Sequence, residues 1–281
     1  MKTTMKACLF GGAVFAAGIA NAGDTYRIYG PSQAETSGYG IGDATTADLV
    51  GALENPYIFS HWASIFDASI IVTPWAYLDS NEQQFGDCLI FPWMWDGDLS
   101  ATELANAQYH FLNGGDLIVL SDSNYTDDIG ASLGIPTSGY AADFNINAVG
   151  FLANGPFGDP TGAVAGGSVG TLNLVDVAVT NGQVLATNNA GQVLAAFWDD
   201  NRYAPGAGRM IIVTDVNTIA GGFGAWDYND LNNPNTRFAL NLFAGMIGSD
   251  PCNDADLNAD GVLNFDDIDL FVEEFLGGCG I

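Results

Sequence analysis

Ser100-Ala101-Thr102-Glu103-Leu104-Ala105-Asn106-Ala107-Gln108-Tyr109-His110-Phe111-Leu112-Asn113-Gly114-Gly115-Asp116-Leu117-Ile118-Val119-Leu120-Ser121 is the stretch that decides the fold. Ser100 and Glu103 have the spacing of a capping box, in which each side chain satisfies an amide at the start of a helix. The predicted helix runs to about Leu112, with Leu104, Tyr109, Phe111 and Leu112 as its apolar stripe. Asn113-Gly114-Gly115 ends it, because glycine adopts the left-handed backbone of a helix C-terminus. Asp116 to Leu120 then reads as a buried strand. A helix delivered by a short glycine turn into such a strand predicts a crossover connection, and hence a parallel sheet. Ser121-Asp122-Ser123-Asn124 follow at the carboxyl end of the strand, the edge where open α/β sheets bind ligands.

Toward the N-terminus, Thr25 to Tyr29 is a first strand. The glycine-rich Ser37–Asp43 loop after it lacks the dinucleotide-binding spacing and reads as a turn. Thr45 or Thr46 caps a short helix through Leu53. Ser69 to Thr73, stopped by Pro74, and Cys88 to Phe91, stopped by Pro92, are two more strands. Trp93 and Trp95, beside Asp96 and Asp98, fit either a sugar-stacking surface or the cover of a core edge.

Toward the C-terminus, Asp127-Asp128 opens a short helix. From about Asn154 to Gly208 the texture turns glycine-rich with short alternating runs, which predicts an antiparallel meander. Asn181-Gly182 signals a hairpin between Val177–Val179 and Val184-Leu185, and Asn189-Ala190-Gly191 a second turn before Val193–Trp198. Arg209 to Thr214 is the last strong strand and ends at Asp215. Thr236 to Ile247 is an amphipathic helix with Phe238, Leu242, Phe243 and Met246 on one side.

The 281 residues allow one medium α/β domain and a small module. Residues 1–22 read as a signal peptide: Lys2 and Lys6, then an apolar run from Ala7 to Ala20, then a small-x-small site at Ala20-Asn21-Ala22. The run is too short to span a bilayer, and no other stretch is long and apolar enough. Export is therefore predicted, without a transmembrane segment. Cleavage removes both lysines and takes the formal charge from −27 to −29, leaving Arg27, Arg202, Arg209 and Arg237 as the basic residues. So acidic a surface repels nucleic acid and anionic membranes.

Candidates for chemistry are few. His61 reads as a core-edge residue and His110 as a structural member of its helix. Cys88, ahead of Leu89-Ile90-Phe91, reads as a small buried hydrophobe. Gly166-Gly167-Ser168-Val169-Gly170 matches a nucleophile-elbow string but lacks the strand before and the helix after that an elbow needs. Asp122 and Asp215 fit either a carboxylate pair facing across the sheet edge or helix caps and turn anchors.

Near the C-terminus, Asp256-Leu257-Asn258-Ala259-Asp260-Gly261-Val262-Leu263-Asn264-Phe265-Asp266-Asp267 has the spacing of a calcium loop. Asp256, Asn258 and Asp260 offer side-chain oxygens, Val262 its carbonyl, Asn264 a direct or water-mediated contact, and Asp267 closes the shell. Gly261 permits the sharp turn at position six. An exit helix follows, with Phe265, Ile268, Phe271, Val272 and Phe275 at helical spacing, while no full entering helix fits between Cys252 and Asp256. Cys252 and Cys279 bracket the loop and are predicted to pair in an oxidising compartment.

Three segments carry a resemblance for the body: Leu99–Leu104, Phe111–Asp122, and Gly208–Asp215 followed by Asn235–Leu242. Over roughly Asp24 to Gly248 the chain resembles the class I glutamine amidotransferase-like superfamily, especially its trehalose-utilisation-type and noncatalytic members. The resemblance implies a flavodoxin-like three-layer α/β fold with a mostly parallel sheet, extended here by the antiparallel segment. Catalytic members place a cysteine in a tight turn after the matching strand and a His-x-Glu after a later one. Here those positions read Ser121-Asp122-Ser123-Asn124 and Asp215-Val216-Asn217, so the amidotransferase machinery is absent. The half-EF-hand of Cys252–Cys279 resembles one repeat of a type I dockerin, more narrowly the cysteine-bounded dockerin-like tails on secreted proteins of planctomycete-type bacteria. Two paired repeats grip a cohesin in true dockerins; a single repeat favours sorting or surface attachment.

The resulting expectation has three parts: a signal peptide over 1–22, an amidotransferase-like body over 23–248, and a dockerin-like module over 249–281. The protein would be extracellular or on the cell surface, bind calcium, and meet a cell-surface or cohesin-like protein.

Overall fold

The computed structural model describes residues 25–31, 40–55, 59, 69–76, 78, 86–94, 99–121, 127–166, 169–219, 228 and 230–247. Residues 1–22, expected to be a signal peptide, and residues 249–281, expected to be a calcium module, lie outside the described residues. The elements are β1 (Thr25–Pro31), α1 (Ala47–Glu54), β2 (Ser69–Ala76), β3 (Cys88–Met94), α2 (Ala101–Leu112), β4 (Asp116–Ser121), α3 (Asp128–Ser132), β5 (Thr137–Ser138), β6 (Asn147–Ala148), α4 (Phe151–Asn154), β7 (Thr171–Leu172), α5 (Leu174–Val179), β8 (Gln183–Thr187), β9 (Val193–Trp198), β10 (Met210–Val213) and α6 (Pro234–Ile247).

One sheet carries the body, in the order β2-β1-β3-β4-β10-β9-β7-β5. The first five of these strands are parallel neighbours. This is the doubly wound order 2-1-3-4 followed by a fifth parallel strand, the flavodoxin-like arrangement. β9 joins β10 antiparallel, and β8, β7, β5 and β6 extend the sheet by further antiparallel pairs.

Alternation along the central strands sends side chains to two separate cores. Ile90, Ile118, Leu120, Ile211 and Val213 pack with α1 and α6 on one face. Leu89, Phe91, Leu117, Val119, Met210 and Ile212 pack with α2 and α3 on the other. Strands buried on both faces read as unbroken apolar runs, which is why Asp116–Leu120 and Met210–Val213 are legible as strands.

The capping box of α2 forms as predicted: the Glu103 amide bonds the Ser100 hydroxyl, and the Ser100 amide bonds the Glu103 carboxylate at 2.7 Å. Its stripe differs. Ala107 and Phe111 are buried and Leu104 is partly buried, whereas Tyr109 and Leu112 face solvent. Residues 104, 107 and 111 follow the three- and four-residue steps of one helix face; 109 and 112 fall off it. The helix ends in a Schellman motif, with the Gly115 amide bonded to His110 O and the Gly114 amide to Phe111 O. Gly114 has φ +95°, and a Cβ on Gly115 would overlap the His110 ring, so the Gly-Gly pair is required by backbone and by packing together.

Two proline stops are corrected. β2 continues through Pro74 to Ala76: it is the terminal strand among the described residues, and its register with β1 shifts between Thr73 and Ala76, so Pro74 falls in an irregularity of the ladder. β3 continues through Pro92 to Met94: Pro92 lies opposite Leu120 of β4, β1 pairs with β3 at Cys88 and Leu89, and the register shifts after Pro92.

The Asn181-Gly182 hairpin is also corrected. Leu174–Val179 is a helix, so this dipeptide joins helix to strand. The Asn173 side chain caps the helix by accepting from the Val175 amide at 2.8 Å. Asn181, at φ 61°, closes it in a second Schellman motif: its amide bonds Ala178 O and the Gly182 amide bonds Val177 O. The antiparallel extension stands, with its β8–β9 hairpin turning at Asn188–Gln192.

Candidate functional site

The carboxyl edge of the parallel sheet is where the topology directs a ligand. β4 reaches this edge at Ser121, and β10 at Val213, followed by Thr214 and Asp215. Asp215 is 1% exposed, and its carboxylate is fully engaged. One oxygen accepts the Asn217 amide at 3.1 Å and the Asn217 side-chain amide at 3.2 Å. The other accepts the Thr218 hydroxyl at 3.0 Å and the Gly166 amide. Asp215 thus caps the short 3-10 turn Val216–Thr218. Burial raises its pKa, opposed by these donors.

Asp127 plays the same part beneath β4. It caps α3 through the Gly130 amide and accepts the hydroxyls of Ser121 at 3.1 Å and Thr137 at 2.7 Å. Burial raises this carboxyl too. Of the two readings open for Asp215, the geometry is that of a cap; Asp122, its suggested partner, lies outside the described residues. Asn217 is not singled out by sequence patterning. Its side chain is buried, and its Oδ1 has no hydrogen-bond partner among the described residues. The Asp215-x-Asn217 spacing of an Asx turn is the signal that could have found it.

A second polar group that sequence patterning misses sits at the amino edge. Asp116 opens β4 and is 8% exposed. It accepts the Tyr26 hydroxyl at 2.7 Å and the Arg209 amide at 2.8 Å, which ties β1, β4 and the start of β10 together. Burial pushes its carboxyl up to about 7 against the pull of those two donors. Burial lowers His110 to about 4. Cys88 is fully buried, and desolvation raises its thiol well above the ordinary range, with the Asp116 charge adding to the effect. A thiol held neutral is a poor nucleophile, so Cys88 behaves as the small hydrophobe the sequence indicates. Arg209 reaches Asp199 at 3.4 Å, Asp200 at 3.3 Å and the Met246 carbonyl at 3.1 Å, which clamps the end of α6 to this edge.

Several sequence candidates lie outside the described residues: His61, Trp95, Asp96, Asp98, Ser168, and the loop ligands Asp256, Asn258, Asp260, Val262, Asn264 and Asp267, with Cys252 and Cys279. The Trp93 side chain is likewise outside them. Among the described residues, no three His, Cys, Asp or Glu side chains converge as a metal-binding group, and no helix is long and apolar enough to cross a membrane.

No protein-family model matches the chain, and no curated protein does. Solved structures do share its shape. The N-terminal domain of mmIFT52 aligns with a TM-score of 0.50 at 10% identity, over 80% of this chain and 97% of that one. At such identity the likeness is one of fold, and it accords with the flavodoxin-like strand order. A ThuA-like protein from Bacteroides uniformis aligns at 0.45 and 12% identity, over 82% of this chain and 94% of that one. The β-galactosidase from Rahnella sp. R3 aligns at 0.44 and 16%, over 80% of this chain and 31% of that one.

Proposed function

We propose that the chain is an exported, noncatalytic binding or surface-display protein. On this reading its dockerin-like C-terminal loop binds calcium and serves attachment or sorting. The observation that carries it is the donor set of residues 256–267. Five oxygen-bearing side chains stand at loop positions 1, 3, 5, 9 and 12, with glycine at position 6. That set is all oxygen, as a hard cation such as calcium requires. Residues 250–281 hold nine acids and no base. Gathering Asp256, Asp260 and Asp267 around one point without a cation would cost more than so small an apolar core offsets. Bound calcium would supply the positive charge that lets these carboxylates converge; the exit helix would then pack through Phe271, Val272 and Phe275.

For the body, the noncatalytic reading is supported by the use of the carboxyl edge. Asp127 and Asp215 are spent on caps, and Cys88 is sealed inside the sheet. Asn217 joins the same cap, its backbone and side-chain amides both donating to Asp215. A secreted carbohydrate-active hydrolase is the competing reading. It requires two facing carboxyls about 5–10 Å apart in an open cleft.

The role of the tail is tested by fractionating cells that express the full chain or one lacking residues 250–281. Retention of the full chain at the cell surface, with release of the shortened one to the medium, is the predicted outcome. Identical distributions would contradict it.

A further inference from the structure

We propose that Glu54 closes the outer edge of β2 against strand pairing with a second copy of this chain. Among the described residues β2 is the terminal strand of the sheet, and β1 covers one side of it. An open strand edge is a template for another strand unless it is blunted. The run Ser69-Ile70-Ile71-Val72-Thr73 is the composition that such pairing favours: β-branched, apolar and free of charge. Ile71 is 46% exposed, so apolar surface accompanies the edge.

Glu54, the last residue of α1, reaches over to this edge. Its Oε1 accepts the Val72 amide at 2.9 Å, so that amide points away from β1. Alternate residues of a strand direct their amides to the same side. Pro74, two positions on, lies where the β1–β2 register shifts between Thr73 and Ala76, and proline has no amide to offer an incoming strand. One outward donor is capped by a carboxylate, and the regular ladder gives way at a residue that has no donor. An incoming strand would have to displace Glu54 and would bring its own Glu54 into the same place, so each copy presents a negative charge to the other at the point of contact. Packing holds α1 in position to do this, since Leu49, Ala52 and Leu53 are buried in the core that also holds Ile70 and Val72.

The test uses the full chain as parent, Glu54→Gln, Glu54→Ala and Glu54→Ala with Ile71→Lys. Sedimentation equilibrium gives the self-association constant of each, and amide exchange at Val72 reports whether the edge is open. Glu54→Ala should associate at least about ten-fold more tightly than the parent, with loss of Val72 protection at low concentration. Glu54→Gln, which keeps an acceptor, should lie closer to the parent than Glu54→Ala. The added Ile71→Lys should reverse the association. A folded Glu54→Ala that associates no more than the parent overturns the proposal. If Glu54→Ala does not unfold cooperatively, Glu54→Asp decides: one methylene shorter, it should free the Val72 amide and associate, and unchanged association would again overturn the proposal.

Discussion

The Tyr26 hydroxyl donates to Asp116 Oδ2 at 2.7 Å, across 90 positions of sequence and from β1 past β3 to β4. Loss of this hydroxyl leaves a buried carboxyl with one donor fewer. Tyr26→Phe should cost about 1–3 kcal/mol, more at pH 8 than at pH 5, because the charged form needs the donor more. Denaturant unfolding at the two pH values measures both quantities.

The same carboxyl gives stability a pH dependence of defined sign. Asp116 holds its proton up to about 7 in the folded chain and loses it near 4 when unfolded. Its contribution is complete below the unfolded value and is lost as pH rises through about 7. His110 acts the other way: with its folded value near 4, its contribution is lost as pH falls from about 6.5 to about 4. The two slopes oppose each other across the same window. Asp116→Asn should remove the first and leave the second. Relative to the parent, that variant should gain stability steadily between pH 4 and 7.

Asp215 separates the capping role from a catalytic one. Asp215→Ala strands the Gly166 amide and the Thr218 hydroxyl as well as the 3-10 turn, and should destabilise the fold by about 2–4 kcal/mol. Thermal unfolding reads this directly. Unchanged stability in Asp215→Ala would reopen the reading of this residue as a free carboxylate at the sheet edge.

Gly115 and Gly114 differ in what an added methyl meets. At Gly114 the cost is one of backbone, about 1 kcal/mol at φ +95°. At Gly115 a Cβ overlaps the His110 ring. Gly115→Ala should therefore be the more destabilising of the two, and equal midpoints in urea would contradict that packing.

Local signals make much of this fold readable. The Ser100–Glu103 box, the Gly-Gly stop and the apolar strands Asp116–Leu120 and Met210–Val213 each announce themselves within a few residues. Leu174–Val179 does not, because Val175, Val177 and Val179 alternate like a strand. Its helix is imposed by the Asn173 cap and the left-handed Asn181, hydrogen bonds that outweigh the β preference of valine. Pro74 and Pro92 mislead for a different reason: whether a strand tolerates proline depends on which side is paired, and that is a property of the assembled sheet. The partnerships of Asp116 with Tyr26 and of Asp215 with Gly166 span 90 and 49 positions, so topology alone brings them together. The proposed calcium loop is the opposite case, since the ligands it would use sit within twelve consecutive residues and are written out in order.

Calorimetric titration of the full chain with calcium tests that loop most directly. Heat from one specific site is the predicted result, with a dissociation constant between roughly micromolar and millimolar. The signal should vanish in Asp256→Ala, while the body unfolds at the parent temperature. No heat at millimolar calcium, or heat that Asp256→Ala leaves unchanged, would contradict it.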